Sequence, residues 1–150
     1  MVEPDAIAQD LTVQLDASGT GSITAEDIDN GSDDACGIQS LALDVTSFGC
    51  ADLGATTVTL TVPDNNGNVS TATATVTVED NVAPTVITQD ITVQLDATGA
   101  ASITTADIDN GSSDACGIQT MSLDITSFGC ANVGANTVTL MVTDNNGNSA

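Results

Sequence analysis

An internal repeat with a period of 80 residues dominates the sequence. The segment QDLTVQLDASGTGSITAEDIDNGSDDACGIQ begins at Gln9, and QDITVQLDATGAASITTADIDNGSSDACGIQ begins at Gln89. About three-quarters of positions 9–68 are identical to their partners at 89–148. Substitutions such as Leu11 to Ile91 keep the apolar character. We therefore expect two domains of the same fold, at residues 1–80 and 81–150.

The local pattern of each copy indicates β-strands. LTVQLD alternates apolar and polar residues, which is the period of a half-buried strand. SITAEDI predicts a short strand followed by a helical turn, with Thr24 as the cap and Asp27 three residues later. Further strands are predicted in GIQSLALDV, TTVTLTV and STATATVTV, and Asn66-Gly67 favours a type I′ hairpin turn between the last two. About six or seven short strands per copy predict an all-β fold of tandem immunoglobulin-like antiparallel β-sandwiches.

The two copies differ in length beyond the sequence DNNGN. Copy one continues through VSTATATVTVED, residues 69–80, whereas copy two reaches Ala150 two residues after its DNNGN. The second copy is therefore expected to lack its last strand. Two explanations remain open: the 150 residues belong to a longer array, or a neighbouring molecule supplies the strand, since an open sheet edge invites pairing.

The charge composition excludes several classes of function. The chain has 21 acidic side chains, no Lys, Arg or His, and a net charge of −21. We expect such a polyanion to bind neither nucleic acid nor an anionic membrane surface, and no apolar run is long enough to insert into a bilayer. Catalysis at neutral pH usually depends on His or on Lys with a lowered pKa. The sequence therefore predicts a protein that is not an enzyme.

The cysteines also follow the repeat. Cys36 and Cys50 recur as Cys116 and Cys130. Four cysteines allow three pairings, and the repetition favours Cys36–Cys50 and Cys116–Cys130, because each copy should fold by itself. The spacing does not match a zinc site. Structural disulfides indicate an oxidising, extracellular environment.

The acidic residues are expected to converge at the joint between the copies. In an immunoglobulin-type sandwich, the loop after the second strand and the last hairpin loop lie at the pole where the chain enters. The candidate ligands of a cation at this junction are Glu79, Asp80, Asn81, Asp107, Asp109, Asn110, Asp114 and Asp144. The equivalent loops of the first copy carry Asp27, Asp29, Asp34 and Asp64.

Calcium is the cation that this set of groups predicts. Unpaired carboxylates repel one another unless a hard cation lies among them, and Ca²⁺ takes 6–8 oxygen ligands. The loops do not match the EF-hand pattern. The alternative, that these Asp and Asn residues cap helical turns and form tight turns, remains open. Two further pairs at strand ends, Asp16 with Asp96 and Asp44 with Asp124, are expected to be solvated turn residues.

Several segments resemble a known class of surface repeat. DNVAPTVITQDITVQLD, ITTADIDNGSSDACGI, SFGCANVGANTVTLMVTDNNGN and STATATVTVED resemble the immunoglobulin-like repeats, related to the HYR type, of very large bacterial cell-surface proteins. The likeness is greatest to the adhesin repeats of gliding bacteria, and it covers essentially the whole chain. It implies a structural stalk segment of an extracellular adhesin or surface fibre on the bacterial cell surface, with adjacent repeats of the same polypeptide as its partners.

Two other functions are compatible with the sequence. The first is a self-assembling filament subunit, in which an identical chain completes the second copy. A concentration-dependent polymer would identify it. The second is a ligand-binding module that depends on Ca²⁺. An exposed pocket would support that function, but the absence of Trp and Tyr argues against stacking on a sugar.

Overall fold

The structure is a computed structural model that describes residues 2–150. The chain divides into two compact units, Met1–Asn81 and Val82–Ala150, and the predicted boundary lies next to this division. Strands predominate, so the fold class is all-β, as the sequence predicts. The helices within residues 2–150 are four residues long and too short to cross a bilayer.

Unit 1 consists of two sheets. Its elements are β1 (Leu11–Gln14), β2 (Thr20–Ser22), α1 (Ala25–Ile28), β3 (Ala42–Leu43), β4 (Ser47–Gly49), β5 (Gly54–Pro63) and β6 (Val69–Glu79), with a 3₁₀ turn at Cys50–Asp52. One sheet has the order β1-β6-β5-β3, and β2 pairs with β4 in the other. The β1–β6 ladder is parallel. The expectation of purely antiparallel pairing therefore holds only for the other ladders of this unit.

The core of unit 1 follows the alternation of its two longest strands. The buried apolar residues are Val58, Leu60 and Val62 of β5, Ala74, Val76 and Val78 of β6, and Val13, Leu15, Ile23, Ile28 and Phe48 elsewhere. Gly21 of β2 lies close to β1, since a Cβ at this position would be 2.6 Å from Cγ1 of Val13. The close approach of the two sheets gives the unit its sandwich-like packing.

The hairpin turn between β5 and β6 differs from the predicted type. A type I′ turn needs positive φ at both central residues, but Gly67 has φ +89° and no residue other than glycine has positive φ within residues 2–150. Asp64 accepts the Gly67 amide through its carbonyl and the Asn66 and Asn68 amides through its carboxylate. The prediction of a type I′ turn was therefore wrong, because these bonds to Asp64 hold a longer loop.

Unit 2 repeats most of this arrangement. Its elements are β7 (Ala100–Ser102), α2 (Thr105–Ile108), β8 (Ile118–Leu123), β9 (Ser127–Gly129) and β10 (Leu140–Asp144), with a 3₁₀ turn at Cys130–Asn132. β10 pairs with β8, and β7 pairs with β9. The core consists of buried Ile103, Ile108, Leu140 and Val142, with Val86, Ile118, Met121, Leu123, Phe128 and Val138 packed against it.

One flank of unit 2 is more exposed than its counterpart in unit 1. Residues 91–94 correspond to β1 but form no strand. Val93 is 39% exposed, whereas the equivalent Val13 is 8% exposed. In unit 1 the strand β6 lies beside β1 and is its hydrogen-bonding partner. The alternation of ITVQLD alone is therefore not enough to form a strand in unit 2.

Candidate functional site

The predicted ligands lie in three segments. The acidic loop comprises residues 27–37 in unit 1 and 107–117 in unit 2. The hairpin loop comprises residues 64–68 and 144–148. The exit segment comprises residues 79–81, at the end of β6. Each segment is held by hydrogen bonds within its own unit.

The acidic loop starts from a capped helical turn, as the sequence predicts. Thr24 is the N-cap of α1, and its backbone amide and hydroxyl donate to Oδ2 of Asp27 at 2.7 and 2.9 Å. Thr104 makes the same bonds to Asp107 at 2.7 and 2.8 Å. The backbone bond first, and then the hydroxyl, lower the pKa of each of these exposed carboxyl groups. Both carboxylates therefore cap a turn.

The next aspartate closes the loop itself. Oδ1 of Asp109 accepts the Ser112 amide at 3.0 Å and Oδ2 accepts the Gly111 amide at 3.4 Å. The bonds from Ser112 lower the pKa of Asp109. In unit 1 burial acts to raise the pKa of Asp29, but equivalent bonds from Ser32 and Gly31 outweigh it and the pKa is lowered. The loop conformation thus depends on the ionised carboxylate.

The acidic loop and the hairpin loop lie side by side within each unit. Asn65 donates its backbone amide to the carbonyl of Gly37 at 3.1 Å and its side-chain amide to the carbonyl of Cys36 at 2.9 Å. The Cys36 amide in turn donates to Asp34. Gly37 has φ +94°, and a Cβ there would lie 2.8 Å from Nδ2 of Asn65. Asn145, Cys116, Gly117 and Asp114 make the same set of contacts in unit 2.

The aspartate of each hairpin loop is buried. Asp64 is 1% exposed and Asp144 is 0% exposed. Asp144 accepts the backbone amides of Asn146 and Asn148 at 2.8 Å and the side-chain amide of Asn148 at 2.7 Å. Burial acts to raise the pKa of Asp144, but the bonds from Asn148 and Asn146 outweigh it and lower the pKa. A buried negative charge is tolerated here because several donors surround it.

The exit segment is tied to β1. The side-chain amide of Gln14 donates to Oε2 of Glu79 at 2.6 Å and accepts from Nδ2 of Asn81 at 2.6 Å. Asp80, between them, is 7% exposed. Sequence reasoning did not identify Gln14, which it treated only as an outward-facing strand residue. Its role depends on the parallel pairing of β1 with β6, which no local pattern shows.

The remaining predicted ligand, Asn110, has an exposed side chain, and its backbone amide donates to the carbonyl of Ile87 at 2.8 Å. The candidate ligands predicted at the junction come from both units, residues 79–81 from unit 1 and the others from unit 2. Within each unit the structure brings the acidic loop and the hairpin loop together. A cation that joins residues 79–81 to the loops of unit 2 stays a prediction.

The strand-end aspartates also hold backbone amides. The Ser18 hydroxyl first, and then the Thr20 and Ser18 amides, lower the pKa of exposed Asp16 to about 2. This agrees with the predicted turn role. Asp44 accepts the amide of Thr59 on β5 at 2.7 Å, and Asp124 accepts the amide of Thr139 at 2.8 Å. Asp44 and Asp124 therefore do more than end a strand. Each carboxylate also binds a segment that lies 15 residues further along the sequence.

The predicted disulfide pairs were wrong. Cys36 and Cys130 are free and exposed, whereas Cys50 and Cys116 are disulfide-bonded. In unit 1, Cys50 lies just before the start of β5. Cys36 contacts Asn65, which lies just after the end of the same strand. Ten strand residues span about 33 Å, but a disulfide needs Cα atoms within about 7 Å. The two cysteines of one repeat therefore lie too far apart to pair.

No protein-family model matches the chain, and no curated protein is significantly similar to it.

Proposed function

We propose that this chain is a structural segment of an extracellular bacterial adhesin or surface fibre, in which tandem sandwich domains extend a stalk from the cell. In this proposal the chain carries no catalytic activity. Its partners are neighbouring repeats of the same polypeptide. The stalk lies on the bacterial cell surface, like the adhesin repeats of gliding bacteria that the sequence resembles.

One observation carries the proposal. The same five aspartates accept backbone amides in both units. These hydrogen bonds outweigh burial and lower the pKa of each carboxyl group: Asp16, Asp27, Asp29, Asp44 and Asp64, with Asp96, Asp107, Asp109, Asp124 and Asp144. A catalytic site usually shifts the pKa of a carboxyl group towards the pH at which the enzyme works. These carboxylates are instead kept ionised while they hold loops in shape, which suits a load-carrying domain.

The composition and the cysteines support an extracellular setting. Disulfide bonds, such as those of Cys50 and Cys116, form and persist in oxidising environments. The chain contains no Lys or Arg, so it offers no cleavage site to a protease of trypsin specificity. Both features favour a protein that is exposed to the surroundings of the cell.

The second part of the proposal is that Ca²⁺ stiffens the joint between repeats. Asp109 and Asp144 use both carboxylate oxygens within their loops. Asp107 uses Oδ2 for its cap and Asp114 uses Oδ1, so that one oxygen of each lies outside these bonds. These two oxygens, with the buried Asp80, are the oxygen ligands that fit a hard cation best.

The test is thermal unfolding in EDTA and in millimolar Ca²⁺ at constant ionic strength, followed by far-UV circular dichroism because the chain has no Trp or Tyr. A cation that binds only the folded state raises the melting temperature with the logarithm of its free concentration. We expect this rise in the wild type and its loss in Asp80→Asn. Equal melting temperatures in EDTA and Ca²⁺ would overturn the calcium proposal.

The control must separate calcium binding from charge screening and from lost caps. Asp107→Ala removes a cap as well as a ligand, so it lowers the melting temperature even without calcium. Asp33→Ser is a matched control, because Asp33 is exposed and the equivalent residue of unit 2 is Ser113. It should keep the full calcium-dependent rise. A rise that is the same in wild type, Asp80→Asn and Asp33→Ser would show screening alone.

A further inference from the structure

The first and last strands of unit 1 lie side by side and run in the same direction. β1 pairs in parallel with β6, from Leu11↔Val76 to Gln14↔Glu79. The chain enters β1 at Leu11 and leaves β6 at Glu79, which are opposite ends of the ladder. A force that pulls the two ends of the unit apart therefore draws the two strands past each other along their length.

The direction of the force decides how the hydrogen bonds of such a ladder break. In shear, the evenly spaced bonds of a parallel ladder stretch together before any one of them is lost. If the first and last strands were antiparallel, both chain ends would leave the ladder at the same end, and the bonds would open one after another. Forced unfolding is governed by the unfolding barrier. The parallel arrangement therefore withstands the higher force.

Further hydrogen bonds extend the contact beyond the four paired positions of the ladder. Before the ladder, the Thr75 amide donates to Oδ1 of Asp10 at 2.8 Å. After it, the Leu15 amide donates to the carbonyl of Glu79 at 2.8 Å. The side-chain amide of Gln14 donates to Oε2 of Glu79 at 2.6 Å. Both ends of the ladder are therefore fastened by bonds that the strand pairing alone does not provide.

The inner face of the ladder is covered by apolar side chains. Val13, Val76 and Val78 are 8%, 0% and 2% exposed, and Leu15 is 3% exposed. Water competes for a backbone hydrogen bond as the bond stretches, and these side chains keep water from one face of the ladder. Sliding β1 by one residue along β6 would also turn its apolar side chains outwards. The register is therefore held by packing as well as by hydrogen bonds.

The segment before β1 is held less continuously than the ladder. Residues 5–9 meet residues 28–33 at two isolated bridges, Asp5↔Asp33 and Ala8↔Asp29, whereas β1 and β6 pair at four consecutive positions. A force applied at the start of the unit reaches the two bridges first. We therefore expect this segment to detach first, after which the force acts on β1 and the ladder.

We propose that unit 1 is a mechanical clamp, in which the parallel ladder of β1 and β6 lets the folded domain withstand tension along the chain. The proposal rests on the stalk function for the source of that tension, because a cell attached through a stalk pulls on the two ends of each domain. It adds a property that a simple spacer does not have, which is a resistance to unfolding that depends on the direction of the force.

The test pulls the full chain in two directions in a single-molecule force experiment. Both directions use one handle at exposed Ala83. The second handle is at exposed Glu3, which shears the ladder, or at exposed Ala17, which follows β1 and peels it from β6 starting at Gln14. Each handle is attached to a p-azidophenylalanine that replaces the residue, because the chain already contains free thiols.

The two directions load the same ladder in different ways. We expect the unfolding force in shear to be at least about twofold higher than in peeling, since four pairs share the force in one direction and one pair carries it in the other. This comparison needs no substitution in the ladder itself, so it does not depend on a destabilised variant. Equal forces in the two directions would overturn the proposal.

A double variant tests the bonds at the two ends of the ladder. Asp10→Ala with Gln14→Ala removes side-chain bonds to β6 without changing the buried core, and should raise the unfolding rate at constant shear force by at least about tenfold. The matched control is Asp90→Ala with Gln94→Ala, the equivalent residues of unit 2, which lie outside the pulled segment and should leave the rate unchanged. An unchanged rate in the first variant, or an equal rise in both, would overturn the proposal.

The force measurement separates the clamp from the stalk function. Equal forces in shear and in peeling would overturn the clamp and leave the stalk function standing, since a stalk domain can act as a spacer without resisting shear. An antibody against the chain, applied to intact cells, tests the stalk function independently. Absence of the protein from the cell surface would overturn the stalk function, whereas a higher force in shear would still establish the clamp as a property of the fold.

Discussion

At the scale of single residues, the acidic side chains act mainly on the backbone next to them. Asp27, Asp29 and Asp64 accept backbone amides two to four residues away in sequence, and their counterparts in unit 2 do the same. Turn formation by Asp and Asn was one of the two interpretations that the sequence left open. The structure shows that these turns form, while a cation that shares the remaining oxygens stays a prediction.

The cysteines provide a prediction at the same scale. Treatment of the native chain with N-ethylmaleimide should label Cys36 and Cys130, whose thiols are free and exposed, and should not label Cys50 or Cys116 before reduction. The measurement is mass spectrometry after cleavage at acidic residues, because trypsin has no site in the chain.

The same digest contains the control. Reduction before labelling should make all four cysteines reactive, which would show that Cys50 and Cys116 are oxidised and not merely inaccessible. A peptide in which Cys36 is linked to Cys50 would contradict the separation of these residues along β5.

At the scale of elements, the end of β6 is held by the strand beside it. The Leu15 amide donates to the carbonyl of Glu79 at 2.8 Å, and the Gln14 side chain joins Glu79 to Asn81. The stretch that leaves unit 1 is therefore ordered by hydrogen bonds from β1 up to Asn81.

Gln14→Ala should release this end of β6. We expect faster amide hydrogen exchange at residues 79–81, and a loss of stability on the order of 1 kcal/mol, because the two lost hydrogen bonds lie at the surface. Gln94→Ala is the matched control, since the described residues include no hydrogen-bond partner for that exposed side chain. Unchanged exchange at residues 79–81 in Gln14→Ala would show that another interaction orders the segment.

At the scale of the whole molecule, the charge is entirely negative, so no ion pair between side chains can balance it. The hydrogen bonds of the loops stabilise the carboxylates instead. Every aspartate whose pKa departs from its ordinary value is shifted downwards, and for Asp16 the value falls from 3.8 to about 2. The folded state thus holds its carboxylates in the ionised form.

This direction fixes the pH dependence of stability. A carboxyl with a lower pKa in the folded state binds fewer protons than in the unfolded state, so stability is fully present above about pH 4 and falls towards about pH 2. The melting temperature at constant ionic strength should therefore be level above pH 4 and decrease below it. An increase in melting temperature as the pH falls from 4 to 2, caused by weaker repulsion between the carboxylates, would contradict this.

The local elements could be predicted because their causes are local. The capped turn at Thr24, the strand β5 and the strand β6 follow from alternation, β-branched residues and the cap spacing. The segment GIQSLALDV is a strand only at Ala42–Leu43 in unit 1, whereas its counterpart in unit 2 is the strand Ile118–Leu123. Both segments pair with the equivalent strand in the same register, Leu43↔Leu60 and Leu123↔Leu140, and they differ in how far the ladder extends.

The sequence by itself determined the repeat, the all-β class, the loop aspartates and the absence of any positive charge. Only the tertiary structure decided that Gln14 binds residues 79–81, that Cys36 and Cys50 lie apart, and that residues 91–94 form no strand. The physical reason is the same in each case. A strand or a disulfide is completed by a partner distant in sequence, and the position of that partner is set by the sheet order and not by the residues on either side.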